Sequence, residues 1–337
     1  MADYKAIKGH TIETVAGDPS VLQAGDIWYS NTTRKIRGAK LPAGTWATGG
    51  DMTRGATSGR GNIRGAGPST AAIAAGGYYP LGYAFTETYD GSSWTEVGDL
   101  GTTRWNIAMA GTQTATLAAA GQRAGPQAPP NMTNDVEEYN GTSWTEVTNL
   151  DTNRGSCSGC GTQTAALAIG GSFGKILSPN WQLFAGVEQY DGTNWTEIAD
   201  INTARNSQAA FQKGTTTAAM LSCGYSTTFV AITETFDGSS WTEVGDCNTA
   251  RSPAGGFGTS IAGVVVGGET PSVTANVEEW DGTSWTETTN IPAATQGIEG
   301  AGTSSTGIAY GGATATARVA ETYEWERAIT ASSFTSS

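Results

Sequence analysis

Histidine is almost absent from this chain: its 337 residues contain a single one, His10. A Ser-His-Asp catalytic triad and a multi-histidine metal site both require histidine beside other functional groups. His10 lies before the repeats that make up most of the sequence, so neither kind of site is expected within them. We therefore predict no catalytic residues, no metal site and no cofactor.

Basic residues and long apolar runs are also scarce. Lys and Arg total 18 against 31 Asp and Glu, which gives a formal net charge of −13, and an acidic surface opposes binding to a nucleic-acid backbone. No apolar run approaches the roughly 18 residues of a membrane-spanning helix, so we expect no membrane insertion. The first residues lack the apolar core of a signal peptide. Long stretches of 3.6-residue periodicity are missing, which favours an all-β protein.

The four cysteines show a pattern that favours packing over chemistry. Cys157 and Cys160 form a CxxC, but side chains three residues apart on a strand lie on opposite faces, which disfavours a shared metal or redox site. Cys247 occupies the position of Leu100 and Ile201 in other repeats, and Cys223 replaces a glycine. We predict four buried or half-buried free thiols.

What the chain does have is a tryptophan phrase that recurs every 44 to 51 residues. Its five copies are YDGSSWTEV, YNGTSWTEV, YDGTNWTEI, FDGSSWTEV and WDGTSWTET, with tryptophans at Trp94, Trp144, Trp195, Trp241 and Trp285. An arginine follows ten residues after four of them, then a Gly-Thr and an apolar run that ends in most copies at a glycine pair. A period of this length indicates one supersecondary unit copied along the chain.

Each unit predicts four short antiparallel strands, a to d. Strand a follows the arginine, and strand b is the apolar run. Strand c carries the ETYD or VEEY phrase, and strand d is WTEV. The Asp-Gly or Asn-Gly between strands c and d is a tight-hairpin signal, because glycine supplies the positive φ of the turn. Four such strands repeated at this spacing are typical of a β-propeller blade.

A glycine pair followed by an aromatic residue and then a tryptophan resembles the kelch repeat, and the resemblance covers residues 44–327. Six aromatic residues fit the strand-c position, and these are Tyr89, Tyr139, Tyr190, Phe236, Trp280 and Tyr323. The sixth unit lacks its fourth strand, and AGTWATGG, in which Trp46 stands eight residues before Arg54, can supply it. We expect a six-bladed kelch-like β-propeller with four-stranded antiparallel blades, the last closed by the N-terminal strand at residues 44–48. Kelch-like propellers include a copper oxidase with two histidine ligands, a centre that this sequence cannot build.

The repeated polar residues favour structural roles. Arg104, Arg154, Arg205 and Arg251 recur once per blade, and we expect them to bond backbone carbonyls at blade corners. Asp90, Asp191, Asp237 and Asp281 fit turns better than calcium sites, because no DxDxDG loop occurs. The phrase DGSSW resembles the Asp-box of sialidases but is one residue short. The tryptophans could form a sugar platform, but their recurrence favours packing between adjacent blades.

Residues 1–43 lie outside the repeat and predict a hairpin, with strands around Asp26–Tyr29 and Arg34–Arg37. GDIWYSNTTRKIRG resembles segments of bacteriophage tail-fibre and other virion proteins, and arrays carrying YDGTSWTE resemble proteins encoded by phages of marine bacteria. This resemblance makes 1–43 an attachment arm, and a solvated hairpin with no partner is the alternative. The candidate attachment residues are Trp28, Tyr29, Arg34, Lys35 and Arg37. Residues 328–337 are predicted to be a C-terminal tail.

The connections between strands b and c of the first three units are long and irregular, and function tends to lie on such loops. The second carries the proline-rich GQRAGPQAPPNMTND. The candidate partner-binding residues of the first and third are Tyr78, Tyr79, Leu81, Tyr83, Phe173, Ile176, Trp181 and Phe184. We expect them to form an exposed apolar patch. In the alternative, they fold back onto their own blades.

These inferences predict a non-enzymatic virion structural or binding protein of a tailed phage: a capsid or tail decoration, a fibre or a host-surface adhesin. It would be synthesised in the host cytoplasm and reside in the virion. Its expected partners are other virion proteins and a host-surface glycan or protein, and it could form a homo-oligomer. The alternatives are a carbohydrate-active enzyme or lectin on a propeller scaffold, and a cytosolic kelch scaffold.

Overall fold

The computed structural model describes residues 12–20, 26–40, 42–54, 60–78, 81–123, 131–173, 182–328 and 330–333. Every regular element in these ranges is a β-strand, so the all-β prediction is confirmed. Within the same ranges no helix is long and apolar enough to cross a membrane. The chain divides into two compact units. We call Thr45–Glu326 the repeat unit, and Met1–Gly44 with Arg327–Ser337 the end unit.

The end unit contains one four-stranded sheet in the order β1-β2-β3-β34. Its strands are β1 (Glu13–Val15), β2 (Ile27–Ser30), β3 (Lys35–Lys40) and β34 (Thr330–Ser333). Strands β2 and β3 form the predicted hairpin, with Trp28 opposite Arg37. Strand β34 pairs antiparallel with β3, so part of the segment predicted as a separate tail belongs to the arm's sheet. A short polar edge strand such as TASS is held by main-chain bonds and has little sequence signature.

The repeat unit contains six four-stranded antiparallel sheets in the residues that the structure describes, and we number them 1 to 6. In strand order a to d, the bounds are as follows: sheet 1, β5 (Arg64–Ala66), β6 (Ala72–Ala75), β7 (Thr86–Tyr89) and β8 (Trp94–Glu96); sheet 2, β9 (Ala108–Thr112), β10 (Ala115–Ala119), β13 (Val136–Tyr139) and β14 (Trp144–Glu146); sheet 3, β15 (Ser158–Thr162), β16 (Ala165–Ile169), β19 (Val187–Tyr190) and β20 (Trp195–Ile198); sheet 4, β21 (Ala209–Ala210), β22 (Ala219–Ser222), β23 (Thr233–Phe236) and β24 (Trp241–Glu243); sheet 5, β25 (Gly255–Thr259), β26 (Ala262–Val266), β29 (Val277–Trp280) and β30 (Trp285–Glu287); sheet 6, β31 (Glu299–Gly302), β32 (Thr306–Tyr310), β33 (Thr322–Glu326) and β4 (Thr45–Thr48).

Small hairpins lie in the connections between strands b and c of sheets 2, 3 and 5. They are β11 (Gln122–Arg123) with β12 (Asn131–Met132), β17 (Ser172–Phe173) with β18 (Gln182–Leu183), and β27 (Glu269–Thr270) with β28 (Ser272–Val273). The turns between strands c and d contain a glycine with positive φ, as at Gly91 with φ 95°. The sequence predicted both the turn and the glycine that it requires.

Sheet 6 is assembled from both ends of the repeat unit. Strand β4 pairs antiparallel with β33, with Trp46 opposite Trp325, which is the pairing predicted for residues 44–48. The prediction that Tyr323 is the strand-c aromatic residue of this sheet is wrong, because Trp325 takes that position. Trp325 lies opposite Gly307 as Trp280 lies opposite Gly263 in sheet 5. A shift of two residues leaves the same face inward, so the alternation of polar and apolar residues could not distinguish Tyr323 from Trp325.

The hydrophobic core lies between the faces of successive sheets. Six buried clusters each draw residues from two neighbouring sheets, including one shared by sheets 6 and 1. The strand-d tryptophans reinforce these interfaces, because each indole N–H donates to the preceding sheet or the segment just after it, at 2.9–3.1 Å. Trp94 donates to Thr322 of sheet 6, and Trp144 donates to Thr86 of sheet 1. The prediction that these tryptophans pack between adjacent sheets is confirmed.

Candidate functional site

Five buried arginine–glutamate ion pairs repeat through sheets 1 to 5. Each arginine lies just before strand a, and its glutamate lies two residues before the strand-c aromatic. The pairs are Arg60–Glu87, Arg104–Glu137, Arg154–Glu188, Arg205–Glu234 and Arg251–Glu278. All ten side chains are 7% exposed or less. Each glutamate also accepts a backbone N–H from the preceding d-to-a connection at 2.6–2.8 Å, so the pair fastens that connection to its sheet.

The arginines also bond backbone carbonyls, as the sequence predicted. Arg104 donates to the carbonyls of Ala120 and Asp135 at 3.0 and 2.7 Å. The sequence analysis did not predict that these arginines pair with glutamates. The available signal was a glutamate that lies two residues before the strand-c aromatic residue in five units. In sheet 1 this role belongs to Arg60, whereas Arg54 is 44% exposed and pairs with Glu96.

The carboxylates of the aspartates in the c-to-d turns accept hydrogen bonds from the backbone of the same turn. Oδ1 of Asp90 accepts from the backbone N–H groups of Ser92 and Ser93, each at 2.8 Å. These bonds lower the pKa of Asp90 to about 2, and the same cause lowers the pKa of Asp237 and Asp281 to about 2. No group of three or more potential metal-binding side chains occurs among the described residues. The carboxylate of Asp90 thus bonds the backbone of its own turn.

Two of the candidate partner-binding residues of sheet 1 pack against nearby aromatic side chains of the repeat unit. Tyr78 packs on Trp105 with ring centroids 4.8 Å apart, and Tyr83 stacks on Phe85 at 4.9 Å. Leu81 is 66% exposed, the most exposed candidate that the structure describes. Tyr79 lies outside the described residues.

In sheet 3, Phe173 and Phe184 meet edge to face at 5.7 Å. The guanidinium of Arg154 lies over the Phe184 ring, 4.6 Å from its centroid. Ile176 and Trp181 lie outside the described residues. Sheet 4 carries a further pair that the sequence analysis missed: Tyr225 and Phe229, half-buried and 5.9 Å apart in the connection between strands b and c. The aromatic phrase CGYSTTF was the available signal.

The candidate attachment residues divide into buried and exposed sets. Trp28 is buried and Tyr29 is half-buried. Arg37 is committed within the end unit, because it pairs with Asp18 at 3.0 Å and donates to the carbonyl of Ala331. Arg34 and Lys35 are exposed at the turn and the start of β3. Arg34 has φ 55°, the left-handed conformation of a turn residue.

An asymmetric polar cluster joins the first strands of sheets 1 and 6 to a residue just after the first strand of sheet 4. Nη1 of Arg64 in sheet 1 lies 3.3 Å from Oε2 of Glu299 in sheet 6, and Nε2 of Gln212, two residues after β21, donates to the other oxygen of Glu299. All three side chains are buried. They line a cavity of about 10 Å³ that also touches Ser158 and Gln208.

The cluster leaves polar atoms unpaired around this cavity. Nη2 of Arg64 and the side-chain oxygens of Gln208 and Gln212 are buried without a partner. The volume is that of about one water molecule, and it is too small for a sugar ring. Burial raises the pKa of Glu299 to about 7, against the opposing effect of Arg64. The sequence analysis did not predict this cluster. The available signal was a charged residue at the start of strand a, Arg64 or Glu299, where sheets 2 and 5 have Ala108 and Gly255.

The comparisons with known proteins address the fold. No family model matches the chain, and no curated protein matches it. Among solved structures 316 chains match. One, described as "Structure of YjhT", has a TM-score of 0.67 and 11% sequence identity, and the match covers 84% of this chain and 99% of that one. The fold is β-propeller-like. Identity this low shows the fold alone, and one fold serves many functions.

Proposed function

We propose that the chain is a non-enzymatic structural and binding protein of a tailed-phage particle. The repeat unit is a six-bladed kelch-like propeller that presents its b-to-c connections to partners, and the end unit attaches it to the particle. One observation carries the proposal: the repeated arginines, their partner glutamates and the turn aspartates are used by buried ion pairs and turns, whereas the aromatic b-to-c connections differ from sheet to sheet.

Six blades are supported by the order of contacts. Each sheet shares a buried cluster with the next, and sheets 6 and 1 share one containing Tyr310, Trp94 and Tyr89. The strand-a elements also contact in the same cyclic order, including β31 with β5. A closed ring protects strand edges that an open array would expose to aggregation.

The phage assignment rests on the resemblance of GDIWYSNTTRKIRG and of the repeated YDGTNWTE-type motif to virion proteins. The end unit supports an attachment role, because it is a separate sheet that leaves Arg34 and Lys35 exposed. These cations fit an acidic surface on the particle, and the attraction would weaken as salt increases. The position on the particle could be a capsid or tail decoration, a fibre or an adhesin.

The test combines particle composition with a matched pair of surface variants. Leu81 is 66% exposed in a b-to-c connection, and Ile261 is 74% exposed in the a-to-b turn of sheet 5. Purified phage particles should contain the chain by mass spectrometry. Leu81→Ser should weaken adsorption of the purified protein to host cells, and Ile261→Ser should not, with both melting temperatures unchanged.

Equal adsorption of the two variants would remove the b-to-c connections as the contact surface. Particles that lack the chain would remove the virion assignment. A weaker signal from Leu81→Ser with a lowered melting temperature would place Leu81 in folding, which also opposes the proposal.

A lectin is the second candidate, and one groove favours it. The groove lies between sheets 6 and 1 and has a volume of about 310 Å³, and its lining includes Ser69, Thr70, Thr306, Trp325, Glu324 and Glu326. Saturable binding on a glycan array, lost in Glu326→Gln, would favour this function. Release of reducing sugar would favour a glycosidase, which needs two carboxylates flanking the scissile bond.

A further inference from the structure

Sheet 4 holds two cysteines in direct contact. Cys223 follows strand b, and Cys247 lies in the connection after strand d. Their sulfur atoms are 3.2 Å apart, and the residues are 0% and 5% exposed. Both thiols are free in the structure.

The same two positions are neighbours in other sheets but carry no sulfur there. In sheet 3 they are Gly170 and Ile201, and a Cβ added to Gly170 would lie 3.2 Å from Cδ1 of Ile201. Sheet 4 therefore replaces both members of a contacting pair with cysteine. Cys223 adopts φ 60°, the left-handed conformation that glycine has in sheet 3 with φ 59°, so the cysteine is held where a side chain is disfavoured.

We propose that Cys223 and Cys247 are a disulfide-forming pair, oxidised by a peroxide to a covalent clamp on sheet 4. The bond would close a loop across 24 positions that contains strands c and d, β23 and β24. The sulfurs must approach from 3.2 Å to a bond length of about 2.05 Å, a shift that side-chain rotation and small backbone adjustments can supply.

The reaction balances with hydrogen peroxide as the oxidant. The thiolate of one of the two cysteines attacks one peroxide oxygen, so that an S–O bond forms, the O–O bond breaks and hydroxide leaves, taking up the thiol proton as water. The sulfur of the other cysteine then attacks this sulfenic sulfur. The S–S bond forms, the S–O bond breaks and the oxygen leaves as water. Two thiols lose two electrons and two protons, and one peroxide becomes two waters.

The other two cysteines provide an internal control. Cys157 packs in the core between sheets 2 and 3, and Cys160 packs in the core between sheets 3 and 4. Cys157 directly precedes β15 and Cys160 lies within it, and their side chains pack on opposite sides of sheet 3, as the sequence predicted, so the same oxidant should not join them.

The experiment uses the intact folded chain. It is treated with hydrogen peroxide below its melting temperature, unfolded with an alkylating agent and mapped by mass spectrometry. The expected result is a loss of two alkylatable thiols and a peptide that links Cys223 to Cys247. The melting temperature should rise by roughly 5 °C and return after reduction, because the clamp restricts the unfolded chain.

Two control variants use residues that occupy the same positions in other sheets, so both are expected to fold. Cys223→Gly restores the residue of sheet 3, and Cys247→Leu restores the residue of sheet 1. Each should keep three alkylatable thiols after peroxide and show no rise in melting temperature. Four free thiols in the treated wild type, a link involving Cys157 or Cys160, or sulfinic acid at Cys247 without a link would overturn the proposal.

Discussion

Sheets 1 to 5 and sheet 6 have the same four-stranded antiparallel arrangement, but sheet 6 is built from different segments of the chain. Each of the first five is one continuous stretch with a tight turn between strands c and d and a buried ion pair. Sheet 6 takes its fourth strand from the other end of the repeat unit. At the ion-pair positions it has Thr295 and Tyr323, so both charges are replaced together.

What sheet 6 retains indicates which features the architecture shares. Trp46 and Trp325 keep the cross-strand aromatic contact, with ring centroids 5.0 Å apart, and Trp46 still donates to the carbonyl of Thr289 after sheet 5. The aromatic contact and the indole hydrogen bond therefore occur in all six sheets. The ion pair binds the d-to-a connection to its sheet. A buried ion pair adds little net stability over apolar residues of similar size, because the cost of removing both charges from water offsets their attraction.

The largest expected effect comes from removing the strand that sheet 6 borrows. Deletion of residues 1–50 should leave β33 unpaired and yield insoluble protein, because an exposed edge strand promotes aggregation. Deletion of residues 1–43, which spares β4, is the matched control and should stay soluble. Sedimentation of lysates and thermal melts measure both. A soluble, cooperatively melting 51–337 chain would contradict the role of β4.

A swap of the ion pair for the residues of sheet 6 should have the next largest effect. Arg104→Thr leaves Glu137 buried without its cation, and should lower the free energy of unfolding by about 3–5 kcal/mol. The double variant Arg104→Thr, Glu137→Tyr copies sheet 6 and should recover more than half of that loss. Urea denaturation of the two variants and of Glu137→Tyr gives the coupling energy. Additive losses would show that Arg104 and Glu137 act independently.

The sequence predicted features that are local or periodic. The four-strand repeat, the Asp-Gly turns, the tryptophans that bond to the preceding sheet and the fourth strand of sheet 6 around Trp46 all follow from spacing and turn chemistry. The burial of the four cysteines follows from comparison of the repeats, because an equivalent position in another copy is apolar.

The features that the sequence missed depend on register or on meetings between distant residues. Trp325 and Tyr323 share one face, so only the observed pairing distinguishes them. Glu299 meets Arg64 across 235 positions and Gln212 across 87 positions, and no local pattern predicts such a meeting. Likewise, β34 joins the end unit through main-chain bonds to β3, which depend little on side-chain identity.

A third prediction concerns pH and the charged contact between sheets 6 and 1. Burial raises the pKa of Glu299 from 4.5 to about 7, so the folded state keeps a proton that the unfolded state loses. Stability from this group is therefore complete below pH 4.5 and declines as pH rises to 7. The total decline is about 3 kcal/mol, at 1.36 kcal/mol per pKa unit. Glu299→Gln should remove this slope, and Glu96→Gln, at an exposed site, should not. Parallel slopes for wild type and Glu299→Gln between pH 4.5 and 7 would refute it.

The smallest expected effect lies in the c-to-d turns, which sheets 1 to 5 have and sheet 6 lacks. Asn140 in sheet 2 accepts the same two backbone N–H bonds that Asp90 accepts in sheet 1, each at 3.0 Å. Asp90→Asn should therefore lower the melting temperature only slightly at pH 7. Because the turn lowers the pKa of Asp90 from 3.8 to about 2, its charged form stabilises the turn above pH 4, and this contribution is lost as pH falls to 2. The difference between the two proteins should shrink over that interval in thermal melts, and added calcium should change neither melt. A calcium-dependent rise in the wild type alone would assign the carboxylate to an ion and not to the turn.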